Sequence, residues 1–196
     1  RSSASRAHCV GGRRRRQVCL TDGATRASAA AVCSERGDTG EATHGKLLGA
    51  TVPCMRGRWH AAGGLAYTLL PKQEVPGLAH VYAPKANGAW SLHAAGVARP
   101  MVTVALFSSV AALLGGAGQA NYAAANACLD ALATCQRAHG TASASVQWGA
   151  WAEVGMAARG AASERMAAME AASGFGRISL ADGLGALGAA VQCASP

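Results

Sequence analysis

Three side chains able to hold an oxygen atom or handle a proton stand close together in the middle of this sequence: Ser109, Tyr122 and Asn126. Tyr122 and Asn126 are four residues apart, so on a helix both project from one face. Ser109 lies thirteen residues before the tyrosine and follows a run, Val102 to Phe107, that is apolar or β-branched throughout. Such a run is too short and too unbroken for an amphipathic helix and reads as a fully buried strand. In open α/β sheets ligands collect at the carboxyl ends of strands. A hydroxyl, a phenol and an amide therefore converge where a ligand would sit.

The elements that must position them run from Met101 to Gly140 in the order strand, loop, helix. The loop carries Gly115, Gly116 and Gly118, and an alanine-rich helix starts at about Tyr122 and is closed by Gly140. Upstream, Glu74 to His93 has a helical pattern that includes Leu78, Val81, Tyr82 and Lys85, and Pro84 kinks it or ends a turn. Downstream, Ala144 to Trp148 reads as a strand and Gly149 to Met156 as a loop. Residues 157–173 read as an amphipathic helix with Met166 and Met169 on its apolar side. A capping-box signal at Ser179 opens a last helix that runs to Val191.

These residues resemble the ketoreductase domain of type I modular polyketide synthases and animal-type fatty acid synthases, within the short-chain dehydrogenase/reductase superfamily. The likeness is close in FSSVAALLGGAGQANYAAANACLDALA and extends to HAAG (His60 to Gly63) and VYAPKANGAWSLH (Val81 to His93). It continues in VQWGAWAEVGMAA (Val146 to Ala158) and GFGRISLADGLGAL (Gly174 to Leu187). In the wider superfamily a lysine follows the tyrosine by four; polyketide-type members place asparagine there and take the lysine from the preceding helix. This sequence has the second pattern, with Lys85 twenty-four residues before Ser109. Singly, a tyrosine on an alanine-rich helix packs, a serine caps a strand and a lysine is solvated. The joint spacing is what carries the resemblance.

The resemblance implies a reduction of ketone to alcohol, which needs a hydride on carbon and a proton on oxygen. Tyr122 would donate the proton, Ser109 would hydrogen-bond the developing alkoxide, and Asn126 would orient the lysine or a relay water. A free tyrosine, with pKa about 10, relays protons poorly at neutral pH. Lys85 would supply the ammonium that stabilises the phenolate. NADPH would supply the hydride. Cofactor contacts are implied at His60, Ala61, Ala62, Gly63, Ser108, Trp148, Gly149 and Met156, and small residues in the H-A-A-G turn let backbone approach a ligand closely. The family's two stereochemical markers are missing: Leu65-Ala66-Tyr67 stands where Leu-Asp-Asp would be, and Leu114 replaces a tryptophan. The alcohol's configuration therefore stays open.

Residues 1–57 lack the likeness. Gly11 and Gly12 run into four arginines, Arg13 to Arg16, and no G-x-G-x-x-G turn follows a first strand. Gly40 to Lys46 matches the first seven places of a phosphate-binding P-loop, but Leu47 replaces the magnesium-holding hydroxyl. Lys46 to Val52, KLLGATV, is a faint echo of the family without the acidic residue that should follow. The strand before His60 reads as poor, since Arg56, Gly57 and Arg58 occupy it.

The net charge of +8 sits in this first part: residues 1–58 hold eleven Lys/Arg against four Asp/Glu, and the remainder seven against six. The arginine run has no interleaved aromatics for base stacking, so a solvated arm is favoured over a nucleic-acid site. Seven cysteines form no C-x-x-C pair, which indicates reduced thiols in an intracellular, cytoplasmic protein. No metal site is assigned, because His8 and Cys9 lack a second ligand pair. No segment has the apolar length of a membrane span. Arg1 in place of methionine suggests a piece of a longer protein.

The reading is an α/β fold, a Rossmann-like three-layer sandwich with a parallel sheet whose N-terminal part is truncated or divergent. Residues 1–57 form a basic, divergent or disordered segment and 58–196 the ketoreductase region. The expected activity is NADPH-dependent reduction of a β-ketoacyl thioester, carried on an acyl carrier protein beside other synthase domains of the same polypeptide. The alternative is a non-catalytic remnant that supports a neighbouring synthase domain.

Overall fold

The computed structural model describes residues 17–22, 31–36, 55–97, 101–154, 164, 167–168, 170–171 and 174–193. The arginine run, Gly40 to Lys46, Lys46 to Val52, Met156, Met166 and Met169 lie outside the described residues.

Five strands form one sheet in the order β2-β1-β3-β4-β5. They are β1 (Gln17–Asp22), β2 (Ala31–Arg36), β3 (Met55–His60), β4 (Thr103–Ser109) and β5 (Ser143–Trp148). The last three run parallel, Gly57 to His60 beside Thr103 to Leu106 and Val104 to Ser109 beside Ser143 to Trp148. β1 is antiparallel to both of its neighbours, with Val18 opposite His60 and Asp22 opposite Met55. The sheet is therefore mixed, its parallel half bearing the residues singled out above.

Alternation along β4 builds the three layers. Val104 and Leu106 face a cluster with Ala89, Leu129, Leu132 and Ala133, from helices on one side. Ala105 and Phe107 face the other side, with Trp148, Trp151, Ile178 and Leu187. The first layer holds α1 (Val75–Tyr82), α2 (Gly88–Gly96) and α4 (Ala120–Ala138), while α3 (Ala111–Leu114) is a single turn after β4. The second layer holds α5 (Leu180–Cys193), where the Asp182 amide donates to the Ser179 hydroxyl at 3.1 Å as the capping signal requires. Gly140, at φ +80°, ends the run after α4. Glu164, Ala167, Ala168, Glu170 and Ala171 are helical, as the pattern in that stretch predicts.

β3 forms despite its composition because Arg58 is accommodated. Its side chain is buried, and the guanidinium donates to the Leu92 carbonyl in the middle of α2. Gly96 leaves the space: a Cβ there would lie 2.9 Å from Arg58 Nη2. Burial pulls the Arg58 pKa down to about 10, so the group stays charged at neutral pH. Among the described residues no helix is long and apolar enough to cross a membrane, and no cluster of three or more His, Cys, Asp or Glu could hold a metal ion.

Candidate active site

Lys85 sits in a π turn, Ala83–Asn87, between α1 and α2. Pro84 has no N–H, so the ordinary bond back to the carbonyl of residue 80 is missing there. The Gly88 N–H instead reaches the carbonyls of Ala83 and Lys85. The widened turn carries the lysine into the interior: its side chain is 3% exposed, and Nζ donates to the Phe107 carbonyl at 3.0 Å. Nζ stands 5.4 Å from the centre of the Tyr122 ring. The lysine from the preceding helix thus meets the tyrosine.

Ser109 ends β4, and its Oγ accepts the Ala111 N–H at 3.2 Å. Tyr122 opens α4 within hydrogen-bonding influence of both Ser109 and Asn126. Asn126 is fully buried; its Nδ2 donates to the Tyr122 carbonyl at 2.8 Å, and its Oδ1 has no hydrogen-bond partner. Lys85, Ser109, Tyr122 and Asn126 are therefore brought together at the carboxyl end of β4.

Burial governs the electrostatics. It pulls the Lys85 pKa down to about 8, while Asp130 acts in the opposite direction. Burial also pushes the Tyr122 phenol upward, outweighing Ser109 and Asn126, which pull it back. The sequence argument has the ammonium lowering the phenol's pKa; desolvation of the ring's oxygen is the larger effect here. At neutral pH the site holds a phenol and an ammonium.

The other singled-out residues divide. His60 lies fully buried at the end of β3, its pKa pulled down to about 3 by burial, then by the cations Lys85 and Arg58, with the Pro84 carbonyl opposing. Ala62 is buried, Gly63 half-buried and Ala61 exposed in the turn that follows. Ser108 points away from Ser109, and its Oγ reaches the Asn126 carbonyl at 3.3 Å, fastening β4 to α4. Trp148 is packed with Phe107 and Trp151 in the layer opposite Tyr122, and Gly149 lies against Ile178.

A cavity of about 470 Å³ opens between Tyr67–Leu69 and Gly116–Gln119, just before Tyr122. Its walls are tied together by Thr68 N–H to Gly118 O at 3.0 Å and by Gln119 Nε2 to the Tyr67 hydroxyl at 3.3 Å. Asn121 Nδ2 adds a bond to the Ala66 carbonyl at 2.9 Å. Sequence reasoning missed this latch, the π turn and Asp130. A usable signal existed for two of them: proline directly before the lysine, and an acid repeating the four-residue spacing after Asn126.

Residues 23–153 match the KR domain family. Polyketide synthase GfsA of Streptomyces halstedii is 47% identical over 100 residues, which is 49% of this chain and 1% of that protein. The spectinabilin polyketide synthase system protein NorB of Streptomyces orinoci is 44% identical over 133 residues, 67% of this chain and 6% of that protein. The chain thus spans a small fraction of the length of these relatives. An A-type ketoreductase from a modular polyketide synthase superposes with a TM-score of 0.75 at 30% identity, over 82% of this chain and 34% of that one. The first ketoreductase of the tylosin synthase gives 0.69 at 33%, over 79% and 33%. A C2-type ketoreductase gives 0.69 at 34%, over 81% and 34%. Since the profile takes in more than half of the sequence and the fold follows the same kin, the chain belongs to the KR domain family, the ketoreductase domains of modular polyketide synthases within the short-chain dehydrogenase/reductase superfamily.

Proposed function

We propose that the chain reduces a β-ketoacyl group to a β-hydroxyacyl group, on a thioester delivered by an acyl carrier protein of a polyketide synthase, with NADPH as reductant. The observation that carries this is the meeting of Lys85, Ser109, Tyr122 and Asn126 at the carboxyl end of β4. The nicotinamide end of the cofactor fits these residues: a phenol, an ammonium and the unpartnered Oδ1 of Asn126 are gathered at the carboxyl end of β4. The phosphate end has less support, because the sequence has no G-x-G-x-x-G turn.

Tyr122 holds the proton that the carbonyl oxygen needs, and burial keeps it on the phenol until transfer. Ser109 donates its hydroxyl hydrogen to the same oxygen as negative charge grows there. Lys85, itself buried, meets the resulting phenolate with a positive charge. Asn126 spends its amide nitrogen on the first turn of α4 and keeps Oδ1 for a relay water. The cofactor, when bound, supplies hydride to the carbonyl carbon. Residues implied to contact it are His60, Ala61, Ala62, Gly63, Ser108, Trp148, Gly149 and Met156.

A second reading, a non-catalytic remnant beside other synthase domains, is favoured by the antiparallel β1 next to β3 and the missing glycine turn. NADPH binding by fluorescence titration, with turnover of a β-ketoacyl thioester, separates the two. The working enzyme binds NADPH and turns over, and Tyr122→Phe keeps binding but loses roughly 10²- to 10⁴-fold in rate. Absence of NADPH binding at millimolar concentration establishes the remnant.

A further inference from the structure

The first turn of a helix carries backbone N–H groups with no carbonyl one turn back to receive them, and helix ends fray. Tyr122 is the third residue of α4, and the loop that leads into the helix contains Gly115 and Gly118 at φ +74° and +71°. A side chain so placed keeps its position only if something outside the helix holds the turn. Gln119 stands at the cap position but makes no side-chain bond to the helix; its amide goes across to the Tyr67 hydroxyl at 3.3 Å. Asn121 supplies the missing acceptor. Its Oδ1 accepts the Tyr122 N–H at 2.7 Å, while its Nδ2 donates to the Ala66 carbonyl at 2.9 Å.

Three bonds then form a seam in register: Ala66 with Asn121, Tyr67 with Gln119, and Thr68 N–H with Gly118 O at 3.0 Å. Asn121 is its buried member, 3% exposed, whereas the bond between Gln119 and Tyr67 faces solvent. Thr68 is braced from behind, its carbonyl accepting Gln73 Nε2 at 2.7 Å. On the inner side, Asn126 Nδ2 donates to the Tyr122 carbonyl at 2.8 Å. Both backbone polar groups of Tyr122 are thus engaged by amide side chains, and one of those amides also holds the cavity wall.

We propose that Asn121 is a positioning residue: its buried amide ties the cavity wall at residues 66–69 to the backbone of Tyr122, so that wall and tyrosine keep one alignment. An amide can do this because it carries a donor and an acceptor on one group, and a carboxylate retains only the acceptor. The catalytic meaning of the tie rests on the function proposed above; the tie itself does not.

Asn121→Asp separates the two halves of the tie. The carboxylate still accepts the Tyr122 N–H, and a negative charge in the first turn of α4, which has no acidic residue, favours the helix. The donor to Ala66 is gone. Residue-resolved native-state hydrogen exchange on the full chain at neutral pH reads the result. The Thr68 amide is expected to exchange roughly tenfold faster, the loss of about one hydrogen bond, while the Tyr122 and mid-helix Leu129 amides stay within about twofold of the parent. In Asn121→Ala, which loses both bonds, Thr68 and Tyr122 speed up together and Leu129 does not. Either variant suffices if the other does not fold. An unchanged Thr68 rate, or Leu129 accelerating by the same factor as Thr68, overturns the assignment. On the proposed activity Asn121→Asp lowers kcat roughly tenfold and leaves the NADPH dissociation constant unmoved, whereas a merely structural role moves both. An equal kcat beside a faster Thr68 amide also overturns it, because the wall would then move without the tyrosine. The exchange needs neither cofactor nor substrate: a faster Thr68 amide in a chain that never turns over upholds the tie and rejects the proposed activity, whereas turnover with an unmoved Thr68 rate does the reverse.

Discussion

Burial sets opposite demands on the two residues at the heart of the site. Tyr122 is held as a phenol, the state that gives up a proton, while Lys85 is drawn toward losing its charge. The ammonium is present below about pH 8 and disappears as pH rises through that value. On the proposed function, kcat with a β-ketoacyl thioester is expected to fall along the same limb, and a pH–rate profile reads it. His60 makes the matching prediction for stability. Its pKa is about 3 folded and near 6.5 unfolded, so between those values the unfolded chain binds a proton that the folded chain refuses. Stability from this residue is complete above about pH 6.5 and is lost as pH falls toward 3, by an amount on the order of 4 kcal/mol. Urea unfolding at a series of pH values checks it, with a shallower acid slope expected for His60→Gln. The tyrosine, serine and asparagine were legible from their spacing, but the sign of the phenol's shift was not, because desolvation depends on depth and depth is absent from a spacing.

The π turn is the element that carries the lysine into the interior. The sequence showed a helical pattern broken at Pro84, but a proline alone does not say whether a helix kinks, stops or widens. Widening by one residue turns Lys85 inward to the Phe107 carbonyl. In Pro84→Ala the restored N–H can bond to the His80 carbonyl, and the turn can close to an ordinary helix. That rotates Lys85 away from Tyr122. The variant is expected to match or exceed the parent in thermal stability while losing about a hundredfold in kcat; equal kcat with the proline removed would show that the turn does not place the lysine. β4 and α4 were read almost to their ends because their patterns are long and consistent, Gly140 included. β3 was underestimated, since Arg58 looks like a surface residue until Leu92 and Gly96 are seen to receive it.

The sheet as assembled has two characters. Its parallel half places Ser109, Tyr122 and the turn after His60 at one edge, where a nicotinamide would lie. β1 runs against this direction, so its carboxyl end, Asp22, lies opposite Met55 at the far edge from that site. A phosphate-binding turn of the ordinary kind follows a strand whose carboxyl end is at the ligand edge and is completed by a helix N-terminus. An antiparallel β1 cannot supply it. Residues 1–57 carry no G-x-G-x-x-G turn, whereas the direction of β1 follows from long-range pairing that no local pattern encodes. The consequence can be measured on NADPH itself. Replacing residues 1–57 with the corresponding first part of a KR domain that bears G-x-G-x-x-G, joined ahead of Arg58, should tighten NADPH binding at least about tenfold, the value of one or two charge-assisted hydrogen bonds to phosphate. Turnover at saturating cofactor should change little, because the residues around Tyr122 are untouched. Equal affinity in the two chains would mean that the first part of this sequence already holds the phosphates by other means; a gain in both affinity and kcat would mean that it also distorts the site.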